Sequence, residues 1–207
     1  MIEILYKDRE LLVCIKPAGT LSELSGAANS LPRMIIEENA DADELFCVHR
    51  LDFEVCGVIV YARTKSAAAA LSDAVKTGNF EKVYLAVTAA PLPEEEGVLE
   101  DLLFKDSKKN KSYVVKRERA GVKRASLEYA ALSETKQGTL YKIKLHTGRT
   151  HQIRVQFASR RSPIVGDRKY GAATGGEVCL ASHIISFPHP TTGERMKFEY
   201  TPEFAKK

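Results

Sequence analysis

Short apolar runs that end at glycine, proline or charged residues recur along this chain of 207 residues. Runs of this length, bounded in this way, are typical of buried strands. They fall at residues 10–16, 57–62, 82–87, 126–132, 139–146 and 195–200. The order of predicted elements is therefore mixed and rich in strands.

Two of these strands alternate apolar and polar residues, which gives each strand a buried and an exposed face. The apolar faces carry Tyr141, Ile143 and Leu145 in the first strand and Met196, Phe198 and Tyr200 in the second. We expect both sets of apolar side chains to point inward.

Two further segments favour helices. Residues 64–76 are rich in alanine, begin at a capping threonine and end just before Gly78, which suits a helix C-terminus. Residues 150–159 can form a second helix, with Ile153 and Phe157 four positions apart on its buried side.

The length of the chain allows it to bury a substantial core within a single domain, so we expect one domain over residues 1–207. Hydrophobic residues make up 44% of the chain and charged residues 28%, as in soluble globular proteins. The N-terminus lacks the basic start and apolar core of a secretory signal. Charge also interrupts every apolar run well before about 18 residues. We therefore expect a cytoplasmic protein without a membrane-spanning segment.

The four cysteines are widely spaced and no export signal precedes them, which disfavours a disulfide framework. Cys47, His49 and Cys56 are the candidate metal ligands that lie closest together in the sequence. They include neither a C-x-x-C pair nor an H-x-E group, so we expect reduced cysteines and no metal site.

Positive charge is concentrated in residues 105–124, where nine basic residues stand against Asp106 and Glu118. This segment alone carries +7, which leaves −3 for the rest of the chain. A concentrated basic segment is typical of a protein that binds a phosphate backbone. The alternative is a solvated hairpin whose lysines only maintain solubility. The apolar residues 113–115 within the segment favour a pair of strands over a disordered tail.

Two segments are unusually polar for their apolar surroundings: residues 49–52, which lead to Gly57, and residues 146–154. Each adjoins a predicted strand, where charged side chains are costly to bury unless they pair. An ion pair between Asp52 and an arginine of the second segment would meet that cost. The alternative is that both segments are surface loops with ordinary salt bridges.

Several ordered blocks of the sequence resemble a known family. Residues 49–57 read HRLDFEVCG, residues 82–86 KVYLA, residues 148–155 GRTHQIRV, residues 163–167 PIVGD and residues 169–171 KYG. In order and spacing these blocks are similar to the motifs H-R-L-D-x-x-T-S-G, K-x-Y-x-A, G-R-T-H-Q-I-R-V-H and P-I-x-G-D-x-x-Y-G of the RluA-type pseudouridine synthases. The early KPAG and the late FPHP also fit the family, and the resemblance covers nearly the whole chain.

The resemblance implies a mixed α+β fold, the pseudouridine synthase fold, with a central, mostly antiparallel sheet, flanking helices and loops. It also implies an enzyme that isomerises specific uridines in ribosomal or transfer RNA and needs no cofactor. The sequence has neither a phosphate-binding G-x-x-x-x-G-K-[ST] loop nor a dinucleotide fingerprint. Asp52 would be the catalytic carboxylate, as nucleophile or as base. Tyr84 would stack on the uracil, and Arg154 would pair with Asp52 and keep it ionised.

The same resemblance implies a structured RNA partner whose target uridine is flipped out of its stack. The residues expected to bind this RNA are Arg50, Arg149, His151, Lys108, Lys109 and Lys111. A chain of this length leaves no room for the S4 RNA-binding domain that many family members carry. We therefore expect a monomeric catalytic domain that binds RNA by itself.

Three positions depart from the family pattern. Val55 and Cys56 replace Thr-Ser, Gln156 replaces a histidine, and residues 181–182 read Ala-Ser in place of His-Ala. The alternative function is a catalytically weak RNA-binding protein or RNA chaperone that retains the same fold. A metal-dependent base-modifying enzyme such as a deaminase is a more distant alternative, because the sequence lacks its clustered ligands.

Overall fold

The computed structural model of the protein describes residues 1–38 and 44–206. The strands in these residues are β1 (Ile4–Lys7), β2 (Leu11–Lys16), β3 (Phe46–Cys47), β4 (Cys56–Ala62), β5 (Glu81–Thr88), β6 (Glu96–Asp106), β7 (Lys111–Val115), β8 (Val122–Thr135), β9 (Gly138–Leu145), β10 (Leu180–Pro188) and β11 (Arg195–Glu199). The helices are α1 (Leu31–Glu38), α2 (Lys65–Thr77) and α3 (Gln152–Ser159), with short 3-10 helices at Arg168–Tyr170 and Glu203–Ala205. The mixed α+β class predicted from the sequence is confirmed.

The described residues group into two compact units. Unit 1 comprises those of Met1–Lys82 and Ala181–Pro202, and unit 2 comprises those of Val83–Leu180 and Glu203–Lys207. Single-domain folding of residues 1–207 stays a prediction. No helix in the described part of the chain is long and apolar enough to cross a membrane.

In unit 1, β2 lies between β1 and β4, and both pairings are antiparallel. Strand β4 also pairs with β3, and it pairs in parallel with β10, which in turn pairs with β11. All six residues of β2 are buried, as expected for an apolar run inside a sheet. The half-buried Met196, Phe198 and Tyr200 pack against the core of this unit, as their alternation predicted.

Helix α2 covers that core and confirms the prediction for residues 64–76. The Thr64 hydroxyl caps its first turn by accepting a hydrogen bond of 3.1 Å from the backbone N–H of Ala67. Its C-terminal cap is Gly78, whose φ of 79° suits glycine best. The buried residues of the helix are Ala67, Leu71 and Ala74.

In unit 2, the strands run antiparallel in the order β5, β9, β8, β6 and β7. Strands β6 and β7 form a hairpin that pairs Asp106 with Lys111, so the basic segment is a strand pair, as predicted. In β9, Tyr141 and Ile143 are buried, whereas Lys142 and Lys144 are exposed. The alternation in this strand therefore separates its two faces as expected.

Helix α3 confirms the prediction of a helix in residues 150–159, although it begins two residues later, at Gln152. Ile153 and Phe157 are buried as expected, but so is every residue from 152 to 157. The reason is that β6, β7 and the 3-10 helix Arg168–Tyr170 all contact this short helix. Arg154 is therefore enclosed, a condition that the local apolar spacing could not indicate.

Four elements were not predicted from the sequence, namely α1, β1, β3 and β10, and β6 was predicted only where it enters the basic strand pair. Strands β1 and β3 are only four and two residues long, respectively. Helix α1 spans eight residues, too few for a convincing helical repeat. The pairing of β1 with β2 and of β3 with β4 supplies the hydrogen bonds that these short strands need.

Candidate active site

Asp52 lies in unit 1, on the turn that leads into β4. Its carbonyl oxygen accepts a hydrogen bond of 3.0 Å from the backbone N–H of Val55, which closes the turn. The Asp52 side chain is half-buried, while the neighbouring Phe53 is 43% exposed. We call residues 51–55 the aspartate turn.

Ser22 holds the beginning of the aspartate turn. Its hydroxyl donates to the carbonyl oxygen of Leu51 at 2.9 Å and accepts from the Leu51 N–H at 3.1 Å. The Tyr61 hydroxyl in turn donates to the carbonyl oxygen of Ser22 at 2.8 Å. Because all three residues are buried, this network fixes the backbone immediately before Asp52.

Lys16 holds the end of the same turn. Its side chain is fully buried, and Nζ donates to the carbonyl oxygens of Val55 at 2.7 Å, Pro17 at 3.0 Å and Phe53 at 3.3 Å. Burial lowers the pKa of Lys16 to about 8, and the negative charge of Asp52 is among the influences that oppose this shift. Lys16 belongs to the KPAG block that fits the family, but no role for it was predicted from the sequence. The available signal was a charged residue at the end of a wholly apolar strand.

The departure at Val55 and Cys56 leaves these supports in place. Lys16 and the turn itself use backbone atoms of Val55, so they do not depend on its side chain. The next residue, Gly57, has a φ of 116°, and a Cβ there would lie 2.2 Å from the Ser182 carbonyl oxygen. Glycine is therefore required where the turn joins the sheet.

His49 and Cys47 bind backbone groups within unit 1. His49 is buried, and its Nε2 accepts a hydrogen bond of 3.2 Å from the Val60 N–H. Burial lowers the pKa of His49 to about 3, so its ring is neutral at pH 7. Cys47 Sγ donates to the carbonyl oxygen of His49 at 3.0 Å. In the parts of the chain that the structure describes, no group of three or more His, Cys, Asp or Glu side chains could hold a metal ion.

Arg50, predicted to bind RNA, is exposed beside the aspartate turn. Its Nη1 lies 2.9 Å from Oε2 of Glu23, which is exposed as well. The position suits contact with a phosphate, but the RNA would have to compete with this carboxylate.

Arg154 lies in unit 2, on α3, and forms a two-pronged ion pair with Asp167. Nε lies 2.7 Å from Oδ2, and Nη2 lies 2.9 Å from Oδ1. Both side chains are only 1% exposed, so the two charges compensate each other away from water. Asp167 was not predicted as the partner of Arg154, although it belongs to the PIVGD block. The predicted pairing of Arg154 with Asp52 stays a prediction.

Tyr84 and His151 are both buried in unit 2. Tyr84 lies on β5, opposite Ile143 of β9. His151 precedes α3 with a φ of 54°, and its Nδ1 shares a hydrogen bond of 2.9 Å with the Tyr170 hydroxyl. The stacking role of Tyr84 and the RNA contact of His151 stay predictions.

The other predicted RNA ligands of unit 2 differ in exposure. Arg149 is exposed, and its Nε donates to the carbonyl oxygen of Arg124 at 2.9 Å. Lys108 and Lys109 are exposed on the turn of the β6–β7 hairpin. Lys111 is half-buried instead, with Nζ 5.0 Å from the centre of the Tyr170 ring.

Comparison with known proteins establishes the family. The model of the RNA pseudouridylate synthase family matches residues 10–159, more than half of the chain. The chain therefore belongs to the RNA pseudouridylate synthase family, a family of isomerases, as the sequence motifs predicted.

Two relatives illustrate the similarity. An uncharacterized RNA pseudouridine synthase of Aquifex aeolicus is 33% identical over 96% of this chain and 68% of its own length. The dual-specificity RNA pseudouridine synthase RluA of Yersinia pestis is 31% identical over 97% of this chain and 99% of its own length.

Solved structures share the fold. Human RNA Pseudouridylate Synthase Domain Containing 4 matches 98% of this chain and 89% of its own, with a TM-score of 0.79 and 24% identity. Human RNA Pseudouridylate Synthase Domain Containing 1 matches 99% of this chain and 84% of its own, with a TM-score of 0.81 and 23% identity. The predicted pseudouridine synthase fold is confirmed.

Proposed function

We propose that this RNA pseudouridine synthase isomerises specific uridines of ribosomal or transfer RNA, and that Asp52 is its catalytic carboxylate. The relative in Yersinia pestis is a dual-specificity RNA pseudouridine synthase, and one in Borreliella burgdorferi is a ribosomal large subunit pseudouridine synthase. The observation that carries the assignment of Asp52 is its half-buried carboxylate on a turn that Ser22 and Lys16 hold at both ends.

The reaction rearranges bonds within one nucleotide. The N1–C1′ bond breaks, the uracil turns, and a C5–C1′ bond forms, after which C5 loses a proton and N1 gains one. Atoms and electrons balance without an external oxidant, reductant or group carrier. Asp52 acts either as the nucleophile at C1′ or as a base at the ribose, and a fixed turn favours both roles by orienting the carboxylate in advance.

Tyr84 and Arg154 complete the proposed set of catalytic residues. Tyr84 stacks on the uracil, and Arg154 keeps Asp52 ionised through its positive charge. A guanidinium group has five N–H donors, so the ion pair with Asp167 is compatible with a second carboxylate partner.

The RNA partner presents a uridine that has left its stack, at a cost of about a few kcal/mol. Exposed cations of the two polar segments and of the hairpin turn then hold neighbouring phosphates, namely Arg50, Arg149, Lys108 and Lys109. Contacts of this type position the RNA and carry little sequence information. We further propose that the protein acts as a monomer in the cytoplasm.

The test compares two carboxylates of the aspartate turn. Asp52→Asn should abolish pseudouridine formation in ribosomal and transfer RNA while leaving fold and RNA affinity nearly intact, because it keeps the shape and removes the charge. Glu54→Gln is the matched control and should stay active. Pseudouridine mapping of total RNA from cells with and without the gene identifies the substrate.

Two outcomes would contradict the proposal. Turnover by Asp52→Asn above a few per cent of the wild-type rate would end the assignment of this carboxylate. RNA binding by the wild-type protein without pseudouridine formation would favour the alternative of an RNA chaperone. Activity should also persist in excess chelator, whereas loss of activity that one added metal restores would indicate a metalloenzyme.

A further inference from the structure

Within unit 2, Tyr170 contacts both the β6–β7 hairpin and the residue that precedes α3. It ends the 3-10 helix Arg168–Tyr170 and is buried. Its hydroxyl accepts a hydrogen bond of 2.8 Å from the Ser112 N–H on β7 and shares one of 2.9 Å with Nδ1 of His151. One phenol group therefore connects the hairpin with the residue that immediately precedes α3.

Two cations also lie close to the ring of Tyr170. Lys111 Nζ is 5.0 Å from its centre, and Arg154 Cζ is 5.3 Å from it. Both distances are within the range of an attractive cation–π interaction, which burial strengthens. Arg154 is thus oriented by two different contacts, the carboxylate of Asp167 and the face of Tyr170.

Lys111 has three partners within the protein. Its Nζ donates to the carbonyl oxygen of Lys169, and it lies 5.8 Å from the centre of the Tyr113 ring as well as close to Tyr170. The adjacent Ser112 hydroxyl donates to the carbonyl oxygen of Thr150 at 2.6 Å. These contacts attach β7 to the loop that precedes α3.

Lys108 and Lys109 differ from Lys111 although they belong to the same hairpin. Their backbone N–H groups donate to Oδ1 of Asp106, at 3.0 and 3.1 Å, which shapes the turn, and their side chains are exposed. Their ammonium groups can reach phosphates without breaking a buried contact. Lys111 would have to give up its contacts with Tyr170 and Lys169 to do the same.

We propose that Lys111 and Tyr170 are positioning residues that hold Arg154 and His151 in their working orientation, whereas Lys108 and Lys109 bind the RNA backbone. The inference rests on the proposed catalytic role of Arg154. The three lysines therefore affect different steps: Lys111 affects the rate of isomerisation, and the other two affect RNA affinity.

The first experiment separates the lysines. Lys111→Met keeps the aliphatic stem and should lower the single-turnover rate at saturating RNA about tenfold or more, because small displacements of a catalytic group are costly. Its dissociation constant and salt dependence should match those of the wild type. Lys111→Arg keeps a cation on the Tyr170 ring and should restore most of the rate.

A double variant, Lys108→Ala with Lys109→Ala, should weaken RNA binding instead. Each lost phosphate contact on single-stranded RNA reduces the slope of log affinity against log salt by about 0.7, so the slope should fall by roughly 1.4. An unaltered slope in the double variant combined with a flattened slope in Lys111→Met would overturn the inference, because Lys111 would then be the phosphate ligand.

The second experiment removes one hydroxyl and leaves the ring. Tyr170→Phe should lower the rate at saturating RNA with little change in affinity, while Tyr113→Phe, on the exposed side of the same hairpin, should behave as wild type. Thermal melting establishes that each variant is folded at the assay temperature. A folded Tyr170→Phe variant with the wild-type rate would also overturn the inference.

Failure of this inference differs from failure of the proposed function. If a folded Arg154→Gln variant, which lacks the positive charge, retains full activity, the proposed role of Arg154 is wrong. If Arg154→Gln is folded but inactive while Lys111→Met and Tyr170→Phe keep the wild-type rate, the role of Arg154 stands and only the positioning link is wrong.

Discussion

The aspartate turn and helix α3 hold their functional side chains in different ways. In unit 1, Ser22 and Lys16 bind backbone carbonyl oxygens around Asp52, and the Asp52 carboxylate stays half-buried. In unit 2, Arg154 is held through its own charged group, by a carboxylate and an aromatic ring, and is almost fully buried. The aspartate turn is thus held by hydrogen bonds to its backbone, whereas Arg154 on α3 is held by contacts of its own side chain.

This difference predicts which substitutions the aspartate turn and α3 tolerate. Support through the main chain leaves side chains of the turn replaceable, which accounts for Val55 and Cys56 where the family has Thr-Ser. Neither Arg154 nor Asp167 can be replaced as easily, because loss of one partner of a buried ion pair leaves the other charge uncompensated. The two regions should therefore respond very differently to mutation.

The largest effect should come from Asp167→Ala, which leaves the Arg154 charge buried and unpaired. We expect the free energy of unfolding to fall by about 3–5 kcal/mol. Urea denaturation followed by circular dichroism measures it. Glu118→Ala, which removes the exposed partner of Arg124, is the control and should change stability far less. Equal losses in the two variants would mean that burial does not set the cost.

The next largest effect is a change in the free energy of unfolding with pH, which arises from Lys16. Its folded-state pKa of about 8 lies below the ordinary value of 10.5, so the unfolded chain binds more protons between these values. The contribution of Lys16 to the free energy of unfolding should therefore rise from about pH 8 to 10.5, by up to about 3 kcal/mol, and below pH 8 the cost of the buried charge is fully present.

The measurement is a set of three stability curves between pH 7 and 11, for the wild type, Lys16→Met and the exposed Lys65→Met. The difference in stability between the wild type and Lys16→Met should change by this amount across the range, whereas the difference between the wild type and Lys65→Met should stay constant. Parallel curves for the wild type and Lys16→Met would contradict the burial of a charged ammonium group beneath the aspartate turn.

A smaller effect is expected for Ser22→Ala, which leaves the buried N–H and C=O of Leu51 without the serine hydroxyl. Stability should fall by about 1–3 kcal/mol. The rate of isomerisation should fall as well, because the backbone before Asp52 loses its support. Ser25→Ala, at a half-buried serine of the same segment whose hydroxyl accepts an exposed hydrogen bond from the Ala27 N–H, should affect both far less. Wild-type activity in a folded Ser22→Ala variant would show that Lys16 alone orients the turn.

The smallest effect on stability should come from Glu23→Gln, because the ion pair with Arg50 is exposed and contributes little. RNA affinity should nevertheless rise by a few-fold at low salt, since Arg50 no longer has to exchange a carboxylate for a phosphate. Glu37→Gln, which breaks the exposed pair with Arg33, is the control for the change in net charge. The same gain in both variants would mean that only overall charge matters.

Much of the fold follows from local patterns. The capped helix α2, the buried strands β2 and β4, and the basic β6–β7 hairpin all appear near the predicted positions. Their signals involve residues a few positions apart, such as Thr64 with Ala67 or the alternation in β9. Short elements such as β3 lack enough residues to show any period, and they form because a neighbouring strand pairs with them.

Local motifs and periodicity were enough to identify the family, most of the main elements and the candidate residues Asp52, Tyr84 and Arg154. Tertiary structure decided the partners of buried charges. Lys16 meets Val55, Arg154 meets Asp167, and Lys111 meets Tyr170. The penalty for an unpaired charge exists only once the chain has excluded water, so no local pattern records which distant group removes that penalty.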